Sequence, residues 1–303
     1  MSLNNSRGLF ISFGRMGRIA MIKLKRLALL VVLSFSILLC NVRAEENEKG
    51  LYAYFLDVGQ GDATVIICDG EVMMIDGGDA EHSQYVYSFL RNTIAIDTID
   101  VLIATHPHAD HIGGLPRVLN AFQVDDIYTP TYPYNDSIWE TLVKCADLKG
   151  ATILQRESGD QFMVGGACIT ILGPVFPAEN EKNKNNISLV FRVDYDSISF
   201  LFAGDAEWEE EHAILDSDAN LDADVLHVSH HGSRTGTGYR FLREVMPAYG
   251  IISVGKGNAY GHPHEEALSR LRDAGVQVFR TDQSGTIMCY TDGMDISFTE
   301  MFR

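Results

Sequence analysis

Positive charge is what this chain has least of: 24 Lys and Arg stand against 41 Asp and Glu over 303 residues, a formal net charge of −17. Residues 1–44 hold seven of the basic residues and no acid, so residues 45–303 carry 17 basic groups against 41 acidic ones, a net of −24. Proteins that cover long stretches of nucleic acid neutralise phosphates and need the opposite sign. Extended nonspecific binding over most of the surface is therefore excluded. The deficit is uneven, with 33 acids against nine basic groups in residues 45–233 and eight of each in residues 234–303. A polyanion-facing surface has to draw on the second of these segments.

Cysteine is sparse too. Four of the five lie beyond residue 44, namely Cys68, Cys145, Cys168 and Cys289, and no two form a C-x-x-C pair. This argues against a disulfide framework and a thiolate metal site, and leaves the cysteines as buried thiols. Long apolar runs are also missing. The best candidate, Leu27 to Cys40, is 14 positions long, short of the ~20 that span a bilayer. Lys23, Lys25 and Arg26 precede it and Val42-Arg43-Ala44 offers small-x-small cleavage. Residues 1–44 thus read as a secretory signal peptide, with Met21 as an alternative start and an uncleaved N-terminal anchor as the structural alternative. Residues 45–303 read as one domain outside the cell or on the outer face of its envelope. Membrane contact is expected only through an uncleaved leader, and no obligate protein partner is evident. Tandem short repeats are absent.

The informative stretch is T-H-P-H-A-D-H-I-G-G, Thr105 to Gly114, directly after the apolar Val101-Leu102-Ile103-Ala104. Residues two apart on an extended backbone point the same way, so His106 and His108 can converge on one ion while Asp110 and His111 turn toward a second. Gly113-Gly114 lets a helix start tight against them.

Around this run strands and helices alternate. Strands Thr64–Cys68 and Val72–Ile75 flank Asp69-Gly70, a two-residue hairpin signal. Asp76 then stands at a strand end, placed either to accept a hydrogen bond from a ligating histidine or to cap a helix from about Ala80 to Arg91. Pro130 to Tyr134 reads as a pocket rim, Ala151 to Leu172 as β-rich, and the stretch Gly173 to Asn186, wholly polar from Glu179 on, as a mobile loop. The second half repeats the rhythm. One strand ends in Gly204-Asp205, another in Ser229-His230-His231-Gly232-Ser233, and helices are expected at Trp208–Leu215, around Tyr239–Val245 and at Glu265–Asp273. The last strands lie around Val276–Phe279 and Thr286–Cys289. This order predicts an α/β fold of two pseudo-equivalent halves meeting at a shared groove.

Strand ends in such a fold bring His106, His108, Asp110, His111, Asp205 and His230 to one edge, where two divalent ions can share Asp205 and a water. Such a pair activates water and steadies the oxygens of an electrophile, which suits phosphoesters, lactams and thioesters alike. Asp110 counts among the catalytic groups as well as the ligands. A donor over the leaving group has to come from elsewhere, and His262 and Lys256 are the candidates.

The histidine run, with Asp76 upstream and Ala203-Gly204-Asp205 downstream, resembles the metallo-β-lactamase fold superfamily. The resemblance implies an αββα sandwich with a dinuclear site of zinc or manganese. The finer pattern resembles the C-terminal hydrolase domain of the ComEC family of competence DNA-uptake proteins, in a solitary, secreted form. That pattern is L-D-V-G-Q-G-D-A at 56–63, I-D-G-G at 75–78, N-N-I-S-L-V at 185–190, F-A-G-D-A-E at 202–207, V-S-H-H-G-S at 228–233 and G-N-A-Y-G-H-P at 257–263. By this resemblance His106 and His108 bind a first metal, Asp110, His111 and His230 a second, and Asp205 bridges them. His231 competes with His230, which is preferred, and His227 is structural. The third histidine expected for the first metal between His111 and Asp205 does not exist. Asn186 or Ser188 stands there as a weaker ligand, a substitution that favours manganese or magnesium over zinc. The function so implied is a secreted metal-dependent phosphodiesterase, a DNase first of all. A phosphocholine or teichoic-acid esterase is the alternative, and a β-lactamase or a non-catalytic binding module ranks below.

Overall fold

Short, strongly buried strands with glycine-rich ends build two sheets. The computed structural model describes residues 49–131, 136–175 and 183–302. The expected leader and the rim tyrosines Tyr132 and Tyr134 lie outside these residues. The first six strands are β1 (Leu51–Phe55), β2 (Thr64–Cys68), β3 (Glu71–Ile75), β4 (Thr98–Ile103), β5 (Gln123–Pro130) and β6 (Thr152–Arg156). Then come β7 (Gln161–Val164), β8 (Ala167–Gly173), β9 (Val190–Tyr195), β10 (Ile198–Phe202), β11 (Val225–His227), β12 (Tyr249–Ile252) and β13 (Gln277–Arg280). The chain ends on the hairpin of β14 (Thr286–Thr291) and β15 (Ile296–Met301).

One sheet runs β15-β14-β1-β2-β3-β4-β5-β6 and the other β13-β12-β11-β10-β9-β8-β7. Each is antiparallel at one end and parallel at the other, because hairpins join the early strands and helical crossovers join the later ones. The β2–β3 hairpin turns at Asp69 and Gly70, whose φ angles of 49° and 94° suit the primed two-residue turn.

Phe55, Ile66, Met73 and Ile103 of the first sheet pack against Phe191, Phe200, Phe202 and Ile251 of the second to form the central core. Leu90, Leu115, Val118 and Leu142 cover the outer face of the first sheet, and Ile214, Phe241, Leu242 and Leu271 that of the second. The result is the αββα sandwich. Each such large apolar side chain contributes roughly 1.5–3 kcal/mol by leaving water, so the layers are held from both faces. Among the described residues no helix is long and apolar enough to cross a membrane.

Three expectations change. The halves are not consecutive in the chain, since β14 and β15 return to pair beside β1 in the first sheet, and β15 is a strand the sequence reading did not include. The β-rich segment from Ala151 is likewise shared, β6 closing one sheet and β7 and β8 opening the other. Of the expected mobile loop, residues 176–182 lie outside the described residues, and its end before Ser188 is packed, with Lys184–Ile187 forming a 3-10 turn in which Asn185 and Asn186 are buried.

Candidate metal centre

Parallel strands deliver their C-terminal ends to one edge, and five of those ends make the site. Asp76 follows β3, Thr105 and His106 follow β4, Asp205 follows β10, His230 and His231 follow β11, and Ser253 follows β12.

Asp76 works from behind. It is buried at a φ of 54°, and its two oxygens accept from the Thr105 backbone N–H at 2.9 Å, the Thr105 hydroxyl at 2.6 Å and His111 Nδ1 at 2.7 Å. A carboxylate only accepts, so Nδ1 of His111 keeps its proton and Nε2 is turned toward the site. The short helix Ala109–Ile112 carries Asp110 and His111, and His108 ahead of it is extended (φ −93°, ψ 151°), which sends His106 and His108 the same way. Nε2 of His106 and Nδ1 of His108 approach to 2.9 Å.

Asp205 sits between the two groups, 2% exposed. Its Oδ2 lies 3.6 Å from His106 Nε2, while its Oδ1 lies 3.2 Å from His111 Nε2 and 3.8 Å from His231 Nε2. The Ser188 hydroxyl accepts the Asp205 backbone N–H at 3.1 Å and so places this carboxylate. Among the described residues, His106, His108 and Asp205 form one set of side chains close enough to share a cation, and Asp110, His111 and His231 another.

The adjacent histidines separate because both adopt left-handed backbone, with φ of 50° at His230 and 54° at His231. His231 turns inward, Nδ1 donating to the Ser253 carbonyl at 2.9 Å and Nε2 reaching 3.3 Å from Asp110 Oδ2. His230 forms part of the cleft wall, with Nε2 3.8 Å from Asp205 Oδ2 and Nδ1 3.1 Å from Glu207 Oε1. The structure thus brings His231, not His230, into the group with Asp110 and His111.

Electrostatics support a cation site. Burial disfavours charge on His111 and His231, yet Asp205 with Asp76, and Asp205 with Asp62, outweigh it and hold both rings well above the usual histidine range. Burial likewise pushes the Asp205 carboxyl up, and His111 and His231 overcome it and hold it well below the carboxylate range. Buried carboxylates here demand positive charge. His111 Nε2, His231 Nε2 and Asp205 Oδ1 make no hydrogen bond among the described residues. Imidazole nitrogens and carboxylate oxygens aimed at one place without partners fit a divalent metal.

The remaining predicted residues divide. His262 lines the cleft, its ring 5.4 Å from that of His230. Burial and the neighbouring imidazoles of His231, His230 and His264 push it down to about 4, so the ring is neutral at pH 7, with one N–H to donate and one bare nitrogen to accept. Lys256 is exposed and does not line the cleft. Asn186 accepts the Glu207 backbone N–H at 2.9 Å through Oδ1 and turns its Nδ2 to Glu209 at 3.4 Å. It and Ser188 therefore brace the Asp205 loop from behind.

Sequence reasoning missed Asp62, Glu207 and Asn185. Asp62 is buried with Oδ1 3.3 Å from His231 Nδ1; the G-Q-G-D motif that holds it reads as a mere turn. Glu207 accepts from Asn183, Asn185 and Thr235 as well as facing His230, and the His230 contact first of all holds its carboxyl down at about 2. The cleft over the site, about 310 Å³, is lined by Gln60, His108, Asp110, Asn185, Asp205, His230, His231, Tyr260 and His262.

Known proteins resemble this chain in sequence and in fold. A family model described as the metallo-beta-lactamase superfamily matches residues 56–256. The chain is 32% identical over 249 residues to ComE operon protein 3 of Bacillus subtilis (strain 168), covering 77% of this chain and 32% of that protein. It is 29% identical over 245 residues to Competence protein ComA of Neisseria gonorrhoeae, covering 80% of this chain and 32% of that protein. The chain therefore spans about a third of the length of these curated relatives. Among solved structures, the metallo-beta-lactamase fold protein YhfI from Bacillus subtilis aligns with a TM-score of 0.54 at 14% identity, over 78% of this chain and 99% of that one. That likeness is one of fold.

Proposed function

This chain belongs to the metallo-beta-lactamase superfamily, and we propose that it is a metal-dependent phosphodiesterase whose preferred substrate is a nucleic acid strand. The observation that carries the reading is Asp205, which turns one oxygen to His106 and the other to His111 and His231. On this reading His106 and His108 hold one divalent ion, zinc or manganese, and Asp110, His111 and His231 hold a second. Such ions, when bound, activate a water and neutralise charge on the attacked group. The protein's own share is to fix the rings. Asp76 sets the tautomer of His111, Ser253 that of His231, and Glu207 anchors His230 at the cleft wall, where it and neutral His262 flank the position of a substrate.

Nucleic acid is favoured by the resemblance to the competence DNA-uptake family, and the Neisseria gonorrhoeae relative is itself named a competence protein. A cleft of about 310 Å³ accepts one phosphodiester and its flanking groups, so a single strand or a frayed end suits it better than a duplex. The leader reading would put this activity outside the cell or at the envelope. The acidic surface supports a second reading, a small phosphoester such as choline phosphate, which needs no extended polyanion contact.

The test is to incubate the full chain with manganese or zinc and single-stranded DNA, double-stranded DNA, a phosphocholine ester and a chromogenic β-lactam. Metal-dependent DNA cleavage that disappears in Asp205→Ala is expected. Release of phosphocholine without DNA cleavage would select the second reading, and hydrolysis of neither would overturn the phosphodiesterase assignment.

A further inference from the structure

The two sides of Asp205 are unequal. Among the described residues Asp110, His111 and His231 stand on one side as a compact group, whereas His106 and His108 stand on the other, with His230 Nε2 3.8 Å from the Asp205 oxygen they face. A further polar side chain of the same cleft is Asn185. It is 8% exposed, lines the cleft with His108, Asp205 and His230, and its Oδ1 has no hydrogen-bond partner among the described residues.

Which end of this amide faces the cleft follows from its neighbour. Nδ2 of Asn185 lies 3.0 Å from Glu207 Oε1, and a carboxylate held ionised can only accept, so the NH₂ group belongs there and the carbonyl oxygen is left over. The same Glu207 oxygen lies 3.1 Å from His230 Nδ1, and His230 Nε2 lies 3.8 Å from Asp205 Oδ2, the oxygen that also faces His106. Asn185 is thereby tied to the His106 side of the carboxylate.

The backbone holds it there. Asn183 Oδ1 accepts the Asn185 N–H at 3.2 Å and so caps the turn. The Leu189 N–H donates to the Thr105 carbonyl at 3.0 Å, one residue before His106, and the Ser188 hydroxyl takes the Asp205 N–H. The turn is wedged between the two ligand-bearing strand ends.

We propose that the Asn185 side-chain carbonyl is a metal-facing ligand that completes the His106–His108–Asp205 side. This rests on the two-ion reading above. A neutral oxygen in the company of two imidazoles and one shared carboxylate gives a harder, weaker site than three imidazoles. That side therefore fills last and favours manganese over zinc, while the Asp110–His111–His231 side fills first.

The test titrates chelator-stripped full-length protein with manganese, following free Mn(II) by electron paramagnetic resonance and bound metal by elemental analysis. Wild type is expected to bind two ions with unequal affinity. Asn185→Leu is expected to keep the tighter ion and to weaken the other about tenfold or more. Asn185→His, which supplies an imidazole, is expected to tighten zinc on the weaker side, a gain that a misfolded variant cannot show. Unchanged affinities in Asn185→Leu would overturn the proposal and assign the carbonyl to substrate, and equal loss of both ions would overturn it in favour of a structural role. If wild type binds no divalent ion, the two-ion reading itself falls.

Discussion

The His111 ring donates from Nδ1 to Asp76 at 2.7 Å, and the two side chains are 0% and 1% exposed. Among the described residues Asp76 is the hydrogen-bond partner of Nδ1, and it holds the ring with Nε2 forward. Asp76→Asn is expected to cost about 10- to 100-fold in metal affinity, the usual effect of removing such a carboxylate. Competition against a fluorescent chelator measures it, and unchanged affinity would mean that His111 is positioned by something else.

His230 and His231 are adjacent in sequence and differ in role by geometry. His231→Ala is expected to remove one metal ion per chain, because its Nε2 stands with Asp110 and His111. His230→Ala is expected to keep both ions and to lower turnover through the cleft wall. Elemental analysis of the two variants decides between them, and loss of metal from His230→Ala alone would restore the assignment read from the sequence.

Glu211 gives the fold a pH dependence of its own, away from the metal side chains. Buried, it accepts the backbone N–H groups of Thr237 and Gly238, and Arg270 donates to the carbonyls of Thr237 and Gly236 on the same loop. Burial raises its carboxyl to about 7, against the opposing pull of the two hydrogen bonds and Arg270. A folded pKa above the unfolded value of ~4.3 means the folded state holds a proton the unfolded state releases. The stabilisation is complete below that unfolded value and is lost as pH rises through about 7. The stability of wild type relative to Glu211→Gln is expected to fall by about 3 kcal/mol between pH 5 and pH 8. Urea unfolding at both pH values tests this, and a constant difference would contradict it.

Gly114 lets the helix carrying His111 close on the Asp76 loop. A Cβ there would strike the Gly77 carbonyl, where the Gly77 N–H donates to the His111 carbonyl at 2.7 Å and the Gly114 N–H to the Gly78 carbonyl at 2.8 Å. Gly114→Ala is expected to cost about 1–3 kcal/mol, the range for forcing extra volume into packed structure. A lower urea midpoint with weaker metal binding is the expected result.

Local features were legible in the sequence. His106, His108, Asp110 and His111 occupy one short run after a strand, so spacing alone brings them together, and periodicity marks the helices Trp208–Leu215 and Glu265–Asp273. What stayed hidden depends on distant partners. Strand alternation cannot choose between His230 and His231, because two consecutive left-handed residues break the period of two. Asn185 and Asn186 are equivalent in a polar run until Glu207, Glu209 and the Glu207 backbone take up their amide groups. The return of β14 and β15 to the first sheet is a pairing across more than 200 residues, Leu51 against Thr291. The half-exposed β15 has little apolar pattern of its own, although Asp292-Gly293 marks the turn before it.

The most direct test of the shared-carboxylate centre is anomalous diffraction from crystals grown with manganese. Two peaks are predicted on opposite sides of the Asp205 carboxylate, one beside His106 and His108 and the other among Asp110, His111 and His231. A single peak, or peaks away from Asp205, would contradict the account.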